Sequence, residues 1–200
     1  MGGKQREVRS LPMMRSDAKA MTDYRDHHAT IFVSPEVAGR VEALRREWDP
    51  RMARQIAAHV TLAYPREAPT LDLLVERVRA ASTRIAPFRL RLGEVACFER
   101  PEGGVYLTVD DIDGGYREMR EHVLRPPFRC VEVPPHVTLV HPRTSRRGRD
   151  FWDTVRHYRE DQEFTTQETT ITAFDGVKWV VLMAFRLGRG QPRSFEERRP

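Results

Sequence analysis

One short pattern occurs twice in this chain, as His59-Val60-Thr61-Leu62-Ala63-Tyr64-Pro65 and again as His136-Val137-Thr138-Leu139-Val140-His141-Pro142. In an extended strand, residues two apart project from the same face. His59 and Thr61 therefore point together, as do His136 and Thr138, while Val60, Leu62 and Tyr64 in one copy and Val137 and Leu139 in the other face the opposite way. Each copy reads as a strand with one apolar and one reactive face. Burying both apolar faces in a common core aims the two reactive faces at a shared cleft, so the repeat calls for two similar halves.

The surrounding sequence supplies those halves. Residues 29–33 are a β-branched and aromatic run, followed by Ser34 as N-cap, Pro35 at the first helical position and Glu36 in the first turn. Val37, Val41, Leu44 and Trp48 then recur at helical spacing, with Arg40, Glu42, Arg45, Arg46 and Glu47 filling the remaining positions, and Pro50 is expected to end the helix. Residues 58–64 read as a strand and 70–85 as a second amphipathic helix carried by Leu71, Leu74, Val75, Val78 and Ala81. Strand-like runs at 88–98 and 105–109 flank the turn residues Pro101, Glu102, Gly103 and Gly104. A helix at 116–124, a strand at 135–141 and a short helix at 151–158 echo the first half. Strands at 165–174 and 177–187 surround Asp175-Gly176, a strong hairpin signal. The expected fold class is α+β with antiparallel pairing. Residues 1–25 are expected to be a flexible arm, 26–188 one domain and 189–200 a polar tail.

Composition narrows the function classes. The longest apolar stretch, 177–185, is about half of what a bilayer-spanning helix needs, and the first ten residues lack the apolar core of a secretory signal. A cytoplasmic location and no membrane partner are expected. Cys97 and Cys130 fit neither a disulfide framework nor a zinc-ligand spacing. Thirty-four Lys and Arg against 29 Asp and Glu permit an anionic substrate without demanding one.

Cleavage of a phosphodiester by in-line displacement needs a base beside the attacking oxygen and an acid beside the leaving oxygen, on opposite sides of phosphorus. One strand cannot supply both. Two equivalent strands can, because imidazole, with a reference pKa of about 6.5, serves as base or acid. His59 and His136 are thus the candidate catalytic residues, with Thr61 and Thr138 donating hydrogen bonds to non-bridging phosphate oxygens. The scheme requires neither a metal nor another cofactor.

Other candidates weigh less. A metal site from His59, His136 and His141 is disfavoured, because His141 lies five residues after His136 and should face the other side of its strand. His27, His28 and His157 have no partners at motif spacing and read as surface or cap residues. Arg143, Arg146, Arg147 and Arg149 suit either phosphate contacts or a solvated basic loop. Phe98, Tyr106 and Trp179 suit either base stacking or the core.

At the twin HVTL motifs the chain resembles the two-histidine (2H) phosphoesterase superfamily, which includes 2'-5' RNA ligase-like proteins and 2',3'-cyclic nucleotide phosphodiesterases. Its signature is a pair of His-x-Thr/Ser-x motifs, and the likeness extends from the strand at Ala29 to the closing strand at 178–187. The resemblance implies a bilobal, pseudo-symmetric α+β fold with antiparallel sheets lining a central cleft and helices outside. It also implies a metal-independent phosphodiesterase acting on 2',3'-cyclic phosphates, 2'-5'-linked nucleotides or RNA ends, expected as a monomer. Only His59, Thr61, His136 and Thr138 carry over. The alternative from another class is a module that binds RNA or a nucleotide in the same cleft without turning it over.

Overall fold

Leu107, Val137, Val60, Ile31 and Ile171 come from five different strands, yet each is 0 or 1% exposed. They form one apolar stripe across a nine-stranded sheet. In a computed structural model, which describes residues 26–188 and 192–194, the strands are β1 (His27–Phe32), β2 (His59–Ala63), β3 (Phe88–Cys97), β4 (Val105–Asp111), β5 (His136–Val140), β6 (Glu163–Thr166), β7 (Glu168–Phe174), β8 (Trp179–Arg186) and β9 (Pro192–Ser194). Their order is β6-β3-β4-β5-β2-β1-β7-β8-β9, and every pairing is antiparallel. The halves, β6-β3-β4-β5 and β2-β1-β7-β8-β9, meet at the two motif strands. Their seam is a single paired position, Val60 with Val137.

Among the described residues five α-helices accompany the sheet: α1 (Pro35–Trp48), α2 (Pro50–Gln55), α3 (Leu71–Arg84), α4 (Gly115–Val123) and α5 (Gly148–Val155). The apolar side chains that α3 buries, Leu71, Leu74, Val75, Val78 and Ala81, are those expected from helical periodicity, and Ser82 is buried with them. With α3 and α4 packed on each other and on the sheet, the apolar stripe is buried and the opposite face is left for chemistry. The fold is α+β, as expected.

Several boundaries differ from the sequence reading. Pro50 does end α1, but it also opens α2 at a position where a missing N–H costs nothing. Asp49 caps that turn through an Oδ1 that accepts from the Met52 N–H at 3.0 Å. Arg45, read as an outer position of α1, is 1% exposed, because Nη2 donates to the Ile56 carbonyl at 2.7 Å and Nη1 to Glu42 at 2.8 Å. His27 and His28 do not precede the first strand. They lie within it, buried at 4% and 7% exposure.

The run 165–174 is two strands. β6 pairs with β3, and β7 pairs with β1 and β8, with only Gln167 between them. Because one residue links an edge strand of one half to an inner strand of the other, the sheet has to curl until those strands approach. This Thr-rich run carries no Gly or Pro to announce the change of partner. The hairpin at Asp175-Gly176 forms as expected: Gly176 takes φ +100°, and Asp175 Oδ1 accepts from the N–H groups of Val177 and Lys178 at 2.8 Å each. In the segment read as a tail, Pro192–Ser194 pairs with β8. The proposed arm at 1–25 lies outside the described residues.

Candidate active site

The seam fixes where the motif side chains stand. Val60 and Val137 are partners and both are fully buried, so counting outward along antiparallel strands sets His59 opposite Thr138 and Thr61 opposite His136. All four side chains share the face opposite the apolar stripe. Their outer neighbours follow from register: Phe32 beside His59 and Thr30 beside Thr61 on β1, then Tyr106 beside Thr138 and Thr108 beside His136 on β4. Each half thus brings one His and one Thr to one surface.

The two imidazoles are held in the same way. His59 Nδ1 donates to the Ala57 carbonyl and His136 Nδ1 to the Pro134 carbonyl, each two residues upstream and each at 2.8 Å. A carbonyl only accepts, so these bonds fix the proton on Nδ1 and leave a lone pair on Nε2 in the neutral ring. Among the described residues neither Nε2 has a hydrogen-bond partner in the protein. Each is free to exchange a proton with a ligand.

The electrostatics favour neutral rings. Burial lowers the His59 pKa to about 4, and the positive charges of Arg45 and His136 act in the same direction against the Ala57 hydrogen bond. His136 is also lowered, first by burial and then by the charge of His141, with the Pro134 bond opposing. His141, expected to face away, is therefore close enough to influence the second motif. It leaves the strand just past its last residue, where its N–H donates to Asp49 Oδ2 at 2.9 Å and its Nδ1 accepts from the Arg143 N–H at 3.1 Å. Among the described residues no group of three His, Cys, Asp or Glu side chains is arranged to hold a metal ion.

Aromatic rings wall the site on both sides. Phe98 meets the His136 ring edge-on, at 5.1 Å and 83°, and Tyr106 lies 5.0 Å from it. On the other side Phe32 is edge-on to His59 at 6.2 Å, and Trp179 stacks on His28 at 3.8 Å. All three of Phe98, Tyr106 and Trp179 are half-buried: Phe98 and Tyr106 lie against His136, and Trp179 lies against His28 and not against a motif histidine, a placement that sequence alone left open. Of the four arginines after the second motif, Arg147 is engaged by Trp48 and the Glu47 carbonyl and Arg149 by Glu102, while the side chains of Arg143 and Arg146 make no such contact among the described residues.

His28 and Phe32 were missed as site residues. Their signal was the two-residue alternation His28-Thr30-Phe32, hidden because polar histidines at the head of a strand resemble a loop. A separate hollow of about 790 Å³, lined by Asp111, Tyr116, Arg117, Arg120 and Pro135, contains none of the four motif side chains.

A crystal structure of a phosphoesterase superposes with a TM-score of 0.58 at 18% identity, over 82% of this chain and 99% of that one. E. coli LigT complexed with 3'-AMP gives 0.57 at 18% identity, over 84% and 100% of the two chains. A Thermus thermophilus protein gives 0.55 at 17% identity, over 83% and 100%. At these identities the likeness establishes the fold. No curated protein sequence matches the chain. The model of the 2'-5' RNA ligase superfamily matches residues 33–177, a span that contains both HVTL motifs and most of the sheet. The chain belongs to the 2'-5' RNA ligase superfamily.

Proposed function

We propose that the protein is a metal-independent phosphodiesterase that opens 2',3'-cyclic phosphates or cleaves 2'-5'-linked nucleotides or RNA ends. The observation that carries the reading is the matched pair of Nδ1 bonds, to the Ala57 and Pro134 carbonyls, on two rings that share one face. That arrangement supplies two equivalent Nε2 atoms, one for each side of an in-line displacement. One imidazole takes the proton of the attacking oxygen while the other, protonated, donates to the leaving oxygen. Thr61 and Thr138 lie between them by register and donate hydroxyl hydrogen bonds to the non-bridging oxygens as charge builds up. A nucleotide-sized ligand is further supported by the complexes recorded for E. coli LigT, which include 3'-AMP, ATP and NADP+.

The test is a panel of 2',3'-cyclic nucleotides and 2'-5' oligonucleotides incubated in excess chelator, with products identified by mass and by phosphate position. Hydrolysis of at least one member is expected. Loss of turnover on chelation with rescue by a divalent metal would replace this reading with a metallohydrolase. Binding that survives His59→Ala, with no hydrolysis by the native protein, would point to a non-catalytic nucleotide-binding module.

A further inference from the structure

His28 lies next to the first motif without belonging to it. Its ring is sandwiched: Trp179 lies on one side, at 3.8 Å between centroids and 22° between planes, and His59 on the other, at 5.6 Å and 21°. Three rings from β8, β1 and β2 are thus nearly parallel. The second half has nothing equivalent among the described residues, since Phe98 approaches His136 edge-on.

We propose that His28 is a positioning residue for His59, an anchored aromatic slab that fixes the plane of the His59 ring and shields it from water. The inference rests on the reading of His59 as an acid–base group. A free imidazole on a strand retains rotation about its side-chain bonds. The Ala57 carbonyl restrains one edge of His59, Phe32 meets it edge-on, and His28 supplies the one ring that lies parallel to it.

The anchor explains why a histidine suits this position. Its Nδ1 lies 2.7 Å from Thr172 Oγ1 on β7, inside a strand pair where both residues are buried. Thr172 Oγ1 also reaches the His28 carbonyl at 3.4 Å. The ring is thereby pinned by hydrogen bond on one edge and by Trp179 on its outer face. The ionisable groups around it are His59 from β2 and His27 from its own strand, while β7 and β8 present the neutral Thr172 and Trp179. Arg45 and His136 act on His59 from further round the site. No carboxylate in this set offsets a positive charge on His28. Burial first, then the charges of His59 and His27, hold it well below the ordinary histidine range. It therefore stays neutral while His59 works, and acts as a surface and not as a proton carrier.

Three variants of the full chain test this: His28→Ala, His28→Phe and Trp179→Ala. The readouts are the NMR titration of the His59 imidazole without ligand, and kcat and KM on the best substrate of the panel. His28→Ala should let water reach His59 and raise its midpoint by about one pH unit or more towards 6.5. It should also lower kcat by about tenfold, with KM little changed, because a loosely held ring still allows binding. His28→Phe keeps the slab, and should retain the low His59 midpoint and most of the kcat. Trp179→Ala removes the outer support, and should shift both readouts the same way by less. The proposal is overturned if His28→Ala leaves the His59 midpoint and kcat unchanged, or if His28→Phe is as impaired as His28→Ala. If His28→Ala does not fold, Trp179→Ala decides, and an unchanged His59 midpoint in that variant overturns the proposal. The titration needs no turnover, so a protein inactive on every substrate would refute the phosphodiesterase reading while the His59 midpoint still showed whether His28 governs that ring.

Discussion

Glu67 and Arg120 form a buried ion pair, at 2.7 Å, that is bonded directly to the backbone of the first motif strand. Arg120 Nη1 donates to the Leu62 carbonyl at 2.8 Å, and Glu67 accepts from the Tyr64 and Val131 N–H groups at 2.9 and 2.7 Å. Tyr116, one turn earlier on α4, donates to the Thr61 carbonyl at 2.9 Å. The reactive face of β2 is thus held from behind. Burial opposes the charge on Arg120, but Glu67 more than restores it, and its pKa is raised.

Glu67→Gln keeps the shape of the side chain and removes its charge, leaving Arg120 buried without a counter-ion. Breaking a buried pair in this way costs about 3–5 kcal/mol. The urea midpoint should fall accordingly, and activity measured below that midpoint should fall as well, since Leu62 and Tyr64 bracket the chain just after Thr61. A variant as stable as the native protein would mean that the pair is not what fixes this strand.

Replacing either motif histidine by Ala should lower kcat by about 10²- to 10⁴-fold, the usual cost of a positioned acid or base. The two losses should be of similar size, because the two rings are held by equivalent bonds. Thr61→Val and Thr138→Val preserve side-chain shape and β propensity while deleting one hydroxyl, and should cost about 10- to 100-fold, the value of a hydrogen bond to a charged group. Near-normal turnover in both histidine variants would end the twin-motif mechanism.

Much of this site was legible because its logic is local. A two-residue period gives the face of His59 and Thr61 without any knowledge of the fold, and Ser34-Pro35 and Asp175-Gly176 mark their own boundaries. What was not legible depends on partners distant in sequence. Nothing near Arg45 says that a carbonyl eleven residues on will draw it inside. Nothing in 165–174 says that Thr166 and Glu168 will serve opposite halves of the sheet. His28 joins the site only because β7 and β8 bring Thr172 and Trp179 to its ring, pairings that form after 144 residues of chain in the case of Thr172.

Acid should destabilise the protein before its carboxylates titrate. His28, His59, His136 and His141 all have folded-state pKa values below the 6.5 of an unfolded chain, in each case chiefly by burial. Between those values the unfolded state binds more protons, so stability is full above about pH 6.5 and declines as pH falls towards about 4, where His59 itself protonates. Calorimetry from pH 7.5 to 4 should record a Tm that drops over this window, and His28→Phe should make the drop shallower. A Tm flat down to about pH 4.5 would contradict neutral burial of these rings.

The rate should respond to pH as a coupled pair of imidazoles does, and in two different positions for free and bound enzyme. Catalysis needs one ring neutral and the other protonated, so each profile should be bell-shaped, with limbs that belong to the pair and not to either residue. For the free protein both rings lie below 6.5, His59 at about 4, so the protonated partner becomes scarce as pH rises through neutrality. The maximum of kcat/KM, which reports the free enzyme, should therefore lie on the acid side of about pH 6.5. A bound phosphodiester adds a negative charge beside both rings and favours their protonated forms, which raises both pKa values. The kcat maximum, which reports the complex, should accordingly lie at higher pH than the kcat/KM maximum. Measuring both profiles on one cyclic nucleotide, in chelator, separates the two effects. A kcat/KM that climbed steadily through about pH 8 would mean that the acid partner is not an imidazole, and His136 or His59 would have to surrender that role to a group with a higher pKa.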